Sequence, residues 1–384
     1  MPALEIAPVV DQAGRRTFVA FPWQVYRGDP NWVPPLLSER LAFIDPDRNP
    51  FFEHARARFF LARRGNRVVG TIGAFTNDRY NEFQGTRTGF FGFFEVVDDP
   101  EAAAALLSTA EAWVREDGNV SILGPAQFST NDEVGLLVDG FDDSPRLLMT
   151  YNPRRYQQYV EAAGYEKAMD LWAYSLNLRS VDGVVALPAK VNRVADRVRQ
   201  RANIRLRQVN MKRFDDEVAA IKSIYNESWA NNWGFVPMTD KEFQRLAMQL
   251  KAIVDPELVL IAEVEGNAVG FALSLPDVNG PLRLAYPRPG IPEFVTMLKL
   301  GWHWKVRRRA RWLRVFALGV LPEFRGQGLD ALLYLETAKA ALRKGFHSIE
   351  ISWILESNEP MNSAVRLCGG DVYKTYRVYE KRLS

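Results

Sequence analysis

Residues 320–333 read V-L-P-E-F-R-G-Q-G-L-D-A-L-L and carry the clearest chemical pattern in the chain. An apolar run over 312–321 leads into Arg325-Gly326-Gln327-Gly328, and amphipathic helical spacing follows at once. Glycines let a backbone approach a ligand closely, and the first N–H groups of a helix have no partner within it. Those donors, with the positive end of the helix dipole, make a phosphate site. An ordinary strand-to-helix turn can also contain glycine. Here the order strand, Pro-Glu-aromatic-Arg-Gly-Gln-Gly, helix, strand favours an anionic nucleotide ligand.

The elements that must hold this loop can be read around it. Residues 204–209 predict a first strand, and 214–229 and 240–252 have helical spacing, the latter opened by Thr239-Asp240. Two apolar runs, 258–264 and 268–275, are joined through Glu265-Gly266-Asn267, a hairpin signal. After the loop, Leu332, Leu335, Ala338 and Leu342 share one helix face, and Arg343, Lys344 and Gly345 suit its C-terminus. A strand over 348–355, a short helix over 360–367 and a closing strand over 372–383 complete the half.

Much of this order occurs about 200 residues earlier, with thin identity. Runs 59–62 and 68–75 form a hairpin around Gly65-Asn66; 89–97 feeds a helix over 100–116, followed by a strand over 119–124. A further helix opens at Asn152-Pro153 and closes at Gly164. The helix entrance differs between halves. In the first it is Glu95-Val96-Val97-Asp98-Asp99-Pro100-Glu101, with no glycine and four carboxylates. Asp99 before Pro100 is a natural cap, and an incoming pyrophosphate would meet repulsion there. The expected organisation is therefore 1–177 as an acceptor or structural half, 178–203 as a connector with one exposed arginine-rich helix, and 204–384 as the nucleotide-binding half.

Composition excludes several classes. The net charge of +3 is too small to argue for nucleic acid. One cysteine, Cys368, rules out internal disulfides, and three histidines without cysteine pairs offer no metal cluster. The N-terminus lacks a signal-peptide pattern, and no apolar stretch approaches the ~20 residues of a membrane span. A cytoplasmic protein is expected, at most peripheral at the inner face of a membrane.

Between hairpin and motif strand lies an insertion over 276–311. It carries Lys299, Lys305, Arg307, Arg308, Arg309 and Arg311, with Arg314 just beyond, interleaved with Phe294, Trp302, Trp304 and Trp312. A helix so basic and aromatic suits an anionic membrane surface, expected through 299–314. A solvated helix with a buried stripe and a clamp on ligand phosphates are the competing readings. No nucleic-acid motif accompanies it.

The motif resembles the GCN5-related N-acetyltransferase superfamily, whose signature is Arg/Gln-x-x-Gly-x-Gly/Ala. The resemblance implies two tandem acyl-CoA N-acyltransferase domains of α/β (α+β) class, each a mixed, mostly antiparallel sheet flanked by helices. It implies that Arg325, Gly326, Gln327, Gly328 and Leu329 bind the pyrophosphate of an acyl-coenzyme A. Leu318, Gly319 and Val320 would then pair with the pantetheine arm, and Asn358 matches a family asparagine near the donor. Asp330 departs from the pattern, standing where the family has Gly or Ala. The superfamily often places a tyrosine acid in the helix after the second motif strand; M-N-S-A-V-R-L-C has none, leaving Tyr373 and Tyr376 downstream as substitutes. Acyl-CoA would be a cosubstrate, with no permanently bound cofactor and no metal.

A second likeness covers nearly the whole chain. Gly89-Phe-Phe-Gly-Phe-Phe-Glu95, Gly124-Pro125, Asn131, Asp139-Gly140-Phe141, Tyr151-Asn152-Pro153, Asp170-Leu171 and Tyr373-Lys374-x-Tyr376-Arg377-x-Tyr379-Glu380-Lys381 resemble the bacterial ceramide synthase-like family. This implies an acetyl or longer acyl donor and an amino-alcohol lipid as the amine acceptor. Acyl transfer to an amine also needs a base, for which Glu356 and Glu95 are the candidates, beside Tyr373 as acid. A non-catalytic acyl-CoA or lipid binder, and an aminoacyl transferase of similar tandem fold, are the alternatives.

Overall fold

Near-continuous apolar runs, buried on both faces and broken by tight turns, build the central strands of this protein. The computed structural model describes residues 2–383 apart from 179, 182, 183, 186, 187 and 202. Along the first half run β1 (Leu4–Pro8), α1 (Gln12–Ala20), α2 (Pro22–Val25), α3 (Leu37–Phe43), β2 (Ala55–Arg64), β3 (Arg67–Asn77), α4 (Asp78–Gln84), β4 (Thr88–Val96), α5 (Pro100–Glu116), β5 (Ser121–Gly124), β6 (Leu136–Asp139), α6 (Arg155–Ala162) and β7 (Glu166–Asn177). A short hairpin follows, β8 (Ser180–Val181) with β9 (Val184–Val185). Then come α7 (Ala189–Arg199), β10 (Ile204–Gln208), α8 (Phe214–Trp229), α9 (Asp240–Lys251), β11 (Val259–Val264), β12 (Asn267–Pro276), α10 (Asn279–Ala285), α11 (Glu293–Gly301), β13 (Trp312–Val320), α12 (Leu329–Arg343), β14 (Ser348–Leu355), α13 (Glu359–Leu367) and β15 (Asp371–Arg382).

These elements form two units. The first comprises Met1–Leu171, Asn279–Arg307 and Lys374–Ser384; the second comprises Trp172–Val278 and Arg308–Tyr373. In the first, β1, β2, β3 and β4 pair antiparallel in sequence, β4 runs parallel to β5, and β5 pairs antiparallel with the end of β15. In the second, β10 to β13 pair antiparallel and β13 runs parallel to β14. Each unit is thus a mixed, mostly antiparallel sheet with helices packed on it. The repeat reaches to its irregularities: the ladder slips between Ala62 and Arg63 in β2, and between Ala262 and Glu263 in β11. Glu265 and Gly266 both take positive φ, at 52° and 85°, the backbone that a two-residue hairpin turn requires.

Helix α5 shows how the sequence fixes an element. Asp99 accepts the Ala102 N–H at 3.1 Å and Pro100 supplies a preset first turn. Small residues let Leu106, Leu107, Ala110 and Val114 sink completely against Phe60, Ile72 and Phe91. Helix α9 opens with a reciprocal cap between Thr239 and Glu242. The connector helix α7 keeps its arginines outward as expected but is not an exposed helix: Val191, Ala195 and Val198 are buried. The helices α1 to α4 have no counterpart in the sequence-based expectation.

Two later segments complete the first unit. Strand β15 is fastened there by polar contacts: Lys374 donates to the carbonyls of Gly140 and Asp143, and Arg377 grips Asp170 at 2.7 and 3.0 Å. Tyr379 donates to Glu161, and Lys381 donates to Glu111. The insertion folds as α10, α11 and a π-helical turn, Trp302–Val306, rather than one helix. Trp23 donates to Pro287 O (2.7 Å), Arg283 to Pro30 O (2.6 Å) and Ser38 to Glu293, while Tyr286 meets Trp32 edge to face.

Candidate active site

In the second unit β13 and β14 pair only from Trp312 opposite Ser348 to Val315 opposite Ile351. Beyond Val315, β13 continues along β12 alone, up to Val320 opposite Gly270. Its other edge, holding Leu318, Gly319 and Val320, presents backbone groups that no strand among the described residues takes up, so an extended amide-bearing ligand can add there. Gly319 serves packing as well: a Cβ there would lie 2.6 Å from the Trp229 ring.

A single helical turn, Pro322–Phe324, then turns the chain into the loop. Gly326 and Gly328 sit at φ 71° and 86°, where other residues are strained. Helix α12 starts at Leu329 with no side chain capping it, so its first donors have no side-chain partner. Asp330 is exposed in that first turn. The side chains of Arg325 and Gln327 brace the loop: Arg325 donates to Ser228 O at 2.7 Å and Val320 O at 3.3 Å, and Gln327 donates to Glu323 O at 3.1 Å. The two glycines differ. A Cβ on Gly326 would meet open space, whereas one on Gly328 would lie 2.6 Å from Val194 and 2.9 Å from Val198. Helix α7, further tied to α12 through Arg199 and Glu336, is therefore a wall of the loop.

Tyr373 lies on the rim of a buried polar cluster. Its hydroxyl donates to Glu350, and its ring stacks on Trp312 at 6.1 Å. Glu350 also accepts from Ser352 Oγ at 2.6 Å, and Ser352 in turn receives Arg314 at 2.9 Å. Arg314 and Glu350 stand opposite each other in the ladder, 2% and 0% exposed. Arg314 is thus an internal cation and not part of a basic surface, which corrects its grouping with the insertion. Glu350 and Ser352 escaped the sequence reading; a single acid inside the apolar run S-I-E-I-S-W was the available signal. Asn358 caps α13, accepting the Met361 N–H at 3.3 Å, and Glu356 follows the end of β14, its carbonyl taking a bond from Asn362.

Glu95 belongs to the first unit, at the end of β4. The hydroxyls of Tyr26 and Tyr156 lie 3.0 and 2.9 Å from its carboxyl oxygens. Burial pushes its carboxyl up to about 8, against the opposing pull of these two phenols and Arg155. Around it the counterpart of the donor slot is filled by the chain itself. Ala126 donates to Phe91 O at 2.9 Å, and its carbonyl occupies the space beside Gly92. Tyr156 accepts the Val96 N–H at 2.6 Å, and Asp99 caps the following helix while paired with Arg64. Behind the plug, Phe128 stacks on Phe51 at 4.5 Å within a buried aromatic cluster.

A strand that leaves its parallel partner and ends in an uncapped, glycine-bounded helix is the donor architecture of N-acyltransferases that use acyl-coenzyme A. The Acetyltransferase (GNAT) family matches residues 218–369, the stretch that contains it. Over 385 aligned residues the chain is 38% identical to a bacterial ceramide synthase from Caulobacter vibrioides, covering 99% of this chain and 98% of that one. It is 35% identical to protein YghO of Escherichia coli, over 96% and 93% of the two chains. The chain belongs to the GNAT N-acyltransferases and, within them, to the family of this ceramide synthase. Its fold is shared with a tandem GNAT protein from the clavulanic acid biosynthesis pathway (TM-score 0.56, 15% identity, 100% and 99% covered) and with a GCN5-related N-acetyltransferase from Sphaerobacter thermophilus (TM-score 0.52, 16% identity, 98% and 96% covered).

Proposed function

We propose that the second unit holds the acyl-coenzyme A and that the acyl group passes to the primary amine of an amino-alcohol lipid. The observation that carries the donor half is the free edge of β13 running into an uncapped α12 over two left-handed glycines. In this reading the α12 N–H groups and the Arg325–Leu329 loop take the pyrophosphate, while Leu318 to Val320 align the pantetheine amides. Backbone donors of the same edge polarise the thioester carbonyl and receive its charge as the amine adds. Thiolate departs readily, so the proton-handling demand falls on the acceptor ammonium, which must lose a proton for the neutral amine to attack.

A carboxylate must accept that proton, and Glu95 and Glu356 are the candidates. Burial leaves Glu95 poised near neutral pH, which suits a base. Tyr373, backed by Glu350, is the candidate donor to the leaving sulfur. The lipid acceptor is supported by the ceramide synthase relative, whose similarity extends over almost the whole chain. We assign the first unit, with its donor slot plugged by Ala126 and Tyr156, to the acceptor.

The test is a matrix of acyl-coenzyme A chain lengths against amines, read by thiol release and product mass. Acylation of a long-chain amino alcohol above that of small soluble amines is expected. Coenzyme A binding without thiol release for any amine would favour a non-catalytic acyl-CoA binder instead.

A further inference from the structure

Large apolar side chains cluster outward on one element of the first unit. On α11 and its π turn, Phe294, Leu298, Trp302 and Val306 are 66%, 70%, 52% and 59% exposed, with Met297 also exposed among them. Their spacing puts them on one helix face, and the opposite face, with Thr296, Leu300 and His303, is the one turned to the protein. Such an arrangement reverses the usual amphipathic pattern, in which the apolar face points inward. The segment is nonetheless held firmly, by Trp23 on Pro287, Arg283 on Pro30 and Ser38 on Glu293.

Along this segment the exposed charges have one sign. Arg288, Lys299, Lys305 and Arg307 are exposed, and Glu293, the one acid between Asp277 and Glu323, is bonded to Ser38. A second copy of the chain meeting this face symmetrically would bring the same cations together, which opposes self-association. An anionic lipid surface offers apolar tails for the ridge and counter-charges for its rim. Among the described residues no helix is long and apolar enough to cross a membrane.

We infer that α11 and its π turn form an insertion ridge that seats the first unit in an anionic bilayer surface, with Phe294, Leu298 and Trp302 among the acyl chains. This deepens the lipid-acceptor reading, yet it stands on exposure and charge alone. It also shifts the contact away from Trp312, which stacks on Tyr373, and from Arg314, which is buried in the second unit.

The experiment is flotation of the full chain with vesicles of equal parts phosphatidylglycerol and phosphatidylcholine, at low and high salt. Binding at low salt with a residue that survives high salt is expected, because insertion does not depend on screening. Phe294→Asp with Leu298→Asp should lower partitioning at least roughly tenfold at both salts. Lys299→Glu with Arg307→Glu should lower it at low salt only. Brominated lipid should quench fluorescence in the wild type and less in Trp302→Phe. All variants should keep their melting temperature and coenzyme A affinity; loss of the latter would count against the donor assignment and not against the ridge. Wild type that ignores these vesicles overturns the inference. So does a dimer in lipid-free sedimentation that the Asp pair dissolves, which would make a second copy the occupant.

Discussion

Tyr373 gives its phenolic hydrogen to Glu350, a carboxylate with no exposed surface. The pair ties the start of β15 to the middle of β14, beside the point where β13 leaves its partner. Removing either residue has a distinct cost. Glu350→Ala would strand Arg314 in the interior and should cost about 3–5 kcal/mol in urea unfolding. Tyr373→Phe leaves Glu350 with Ser352 and Arg314, and should cost about 1–3 kcal/mol. If the phenol also serves the leaving sulfur, Tyr373→Phe should lower kcat about a hundredfold or more with an unchanged KM for acyl-coenzyme A. A parallel loss of kcat and folded fraction would mark it as structural only.

The two loop glycines should respond differently to alanine. Gly326→Ala meets open space and bears only the left-handed backbone cost, about 1–2 kcal/mol. Gly328→Ala adds a collision with Val194 and Val198, so its melting temperature should fall further. Val194→Ala in the Gly328→Ala background should recover part of the loss. An equal melting temperature for the two single variants would contradict the wall formed by α7.

Glu95 sets a pH dependence whose sign follows from its raised carboxyl. Between its ordinary range and about 8 the folded protein holds a proton that the unfolded chain has released. Stability from this group is therefore complete at acid pH and declines as pH rises through that window. Glu95→Gln should flatten the decline, so the variant gains on the wild type from pH 5 to 8 in thermal unfolding. If Glu95 is the base, wild-type kcat/KM should also climb towards pH 8, and Glu95→Gln should remove the climb.

The plugged slot of the first unit limits donor binding. With Ala126 bonded to Phe91, Tyr156 on Val96 and Asp99 at the helix entrance, calorimetry should give one coenzyme A per chain. Arg325→Ala should weaken that one site by loosening the loop from Ser228 and Val320. Two sites per chain would refute the asymmetry between units.

What the sequence disclosed was local. Glycine-bearing turns announced both hairpins, Asp99-Pro100 announced α5, and the glycine loop announced α12, because each signal lies within a few residues of its effect. The outward face of α11 was hidden in a list of apolar residues; exposure depends on what packs behind, and helical spacing cannot say which side is covered. Arg314 misled for the same reason: it follows a run of cations in sequence but faces Glu350 across a strand pair. Between Gly124-Pro125 and Asp139-Gly140-Phe141 no periodicity marks Phe128, which nonetheless anchors an aromatic cluster drawn from positions 43 to 93. The short helices α1 to α4 carry too few turns for periodicity to show.

The first unit's interleaving governs how the protein must be made. Strand β15 seals the bare flank of β5, yet a ribosome delivers it only after the whole second unit has emerged. Until then β5 offers an unpaired ladder, and the ridge of α11 has joined it in the open. The nascent chain therefore carries an exposed adhesive seam while the second unit is made, and the first unit closes only after it.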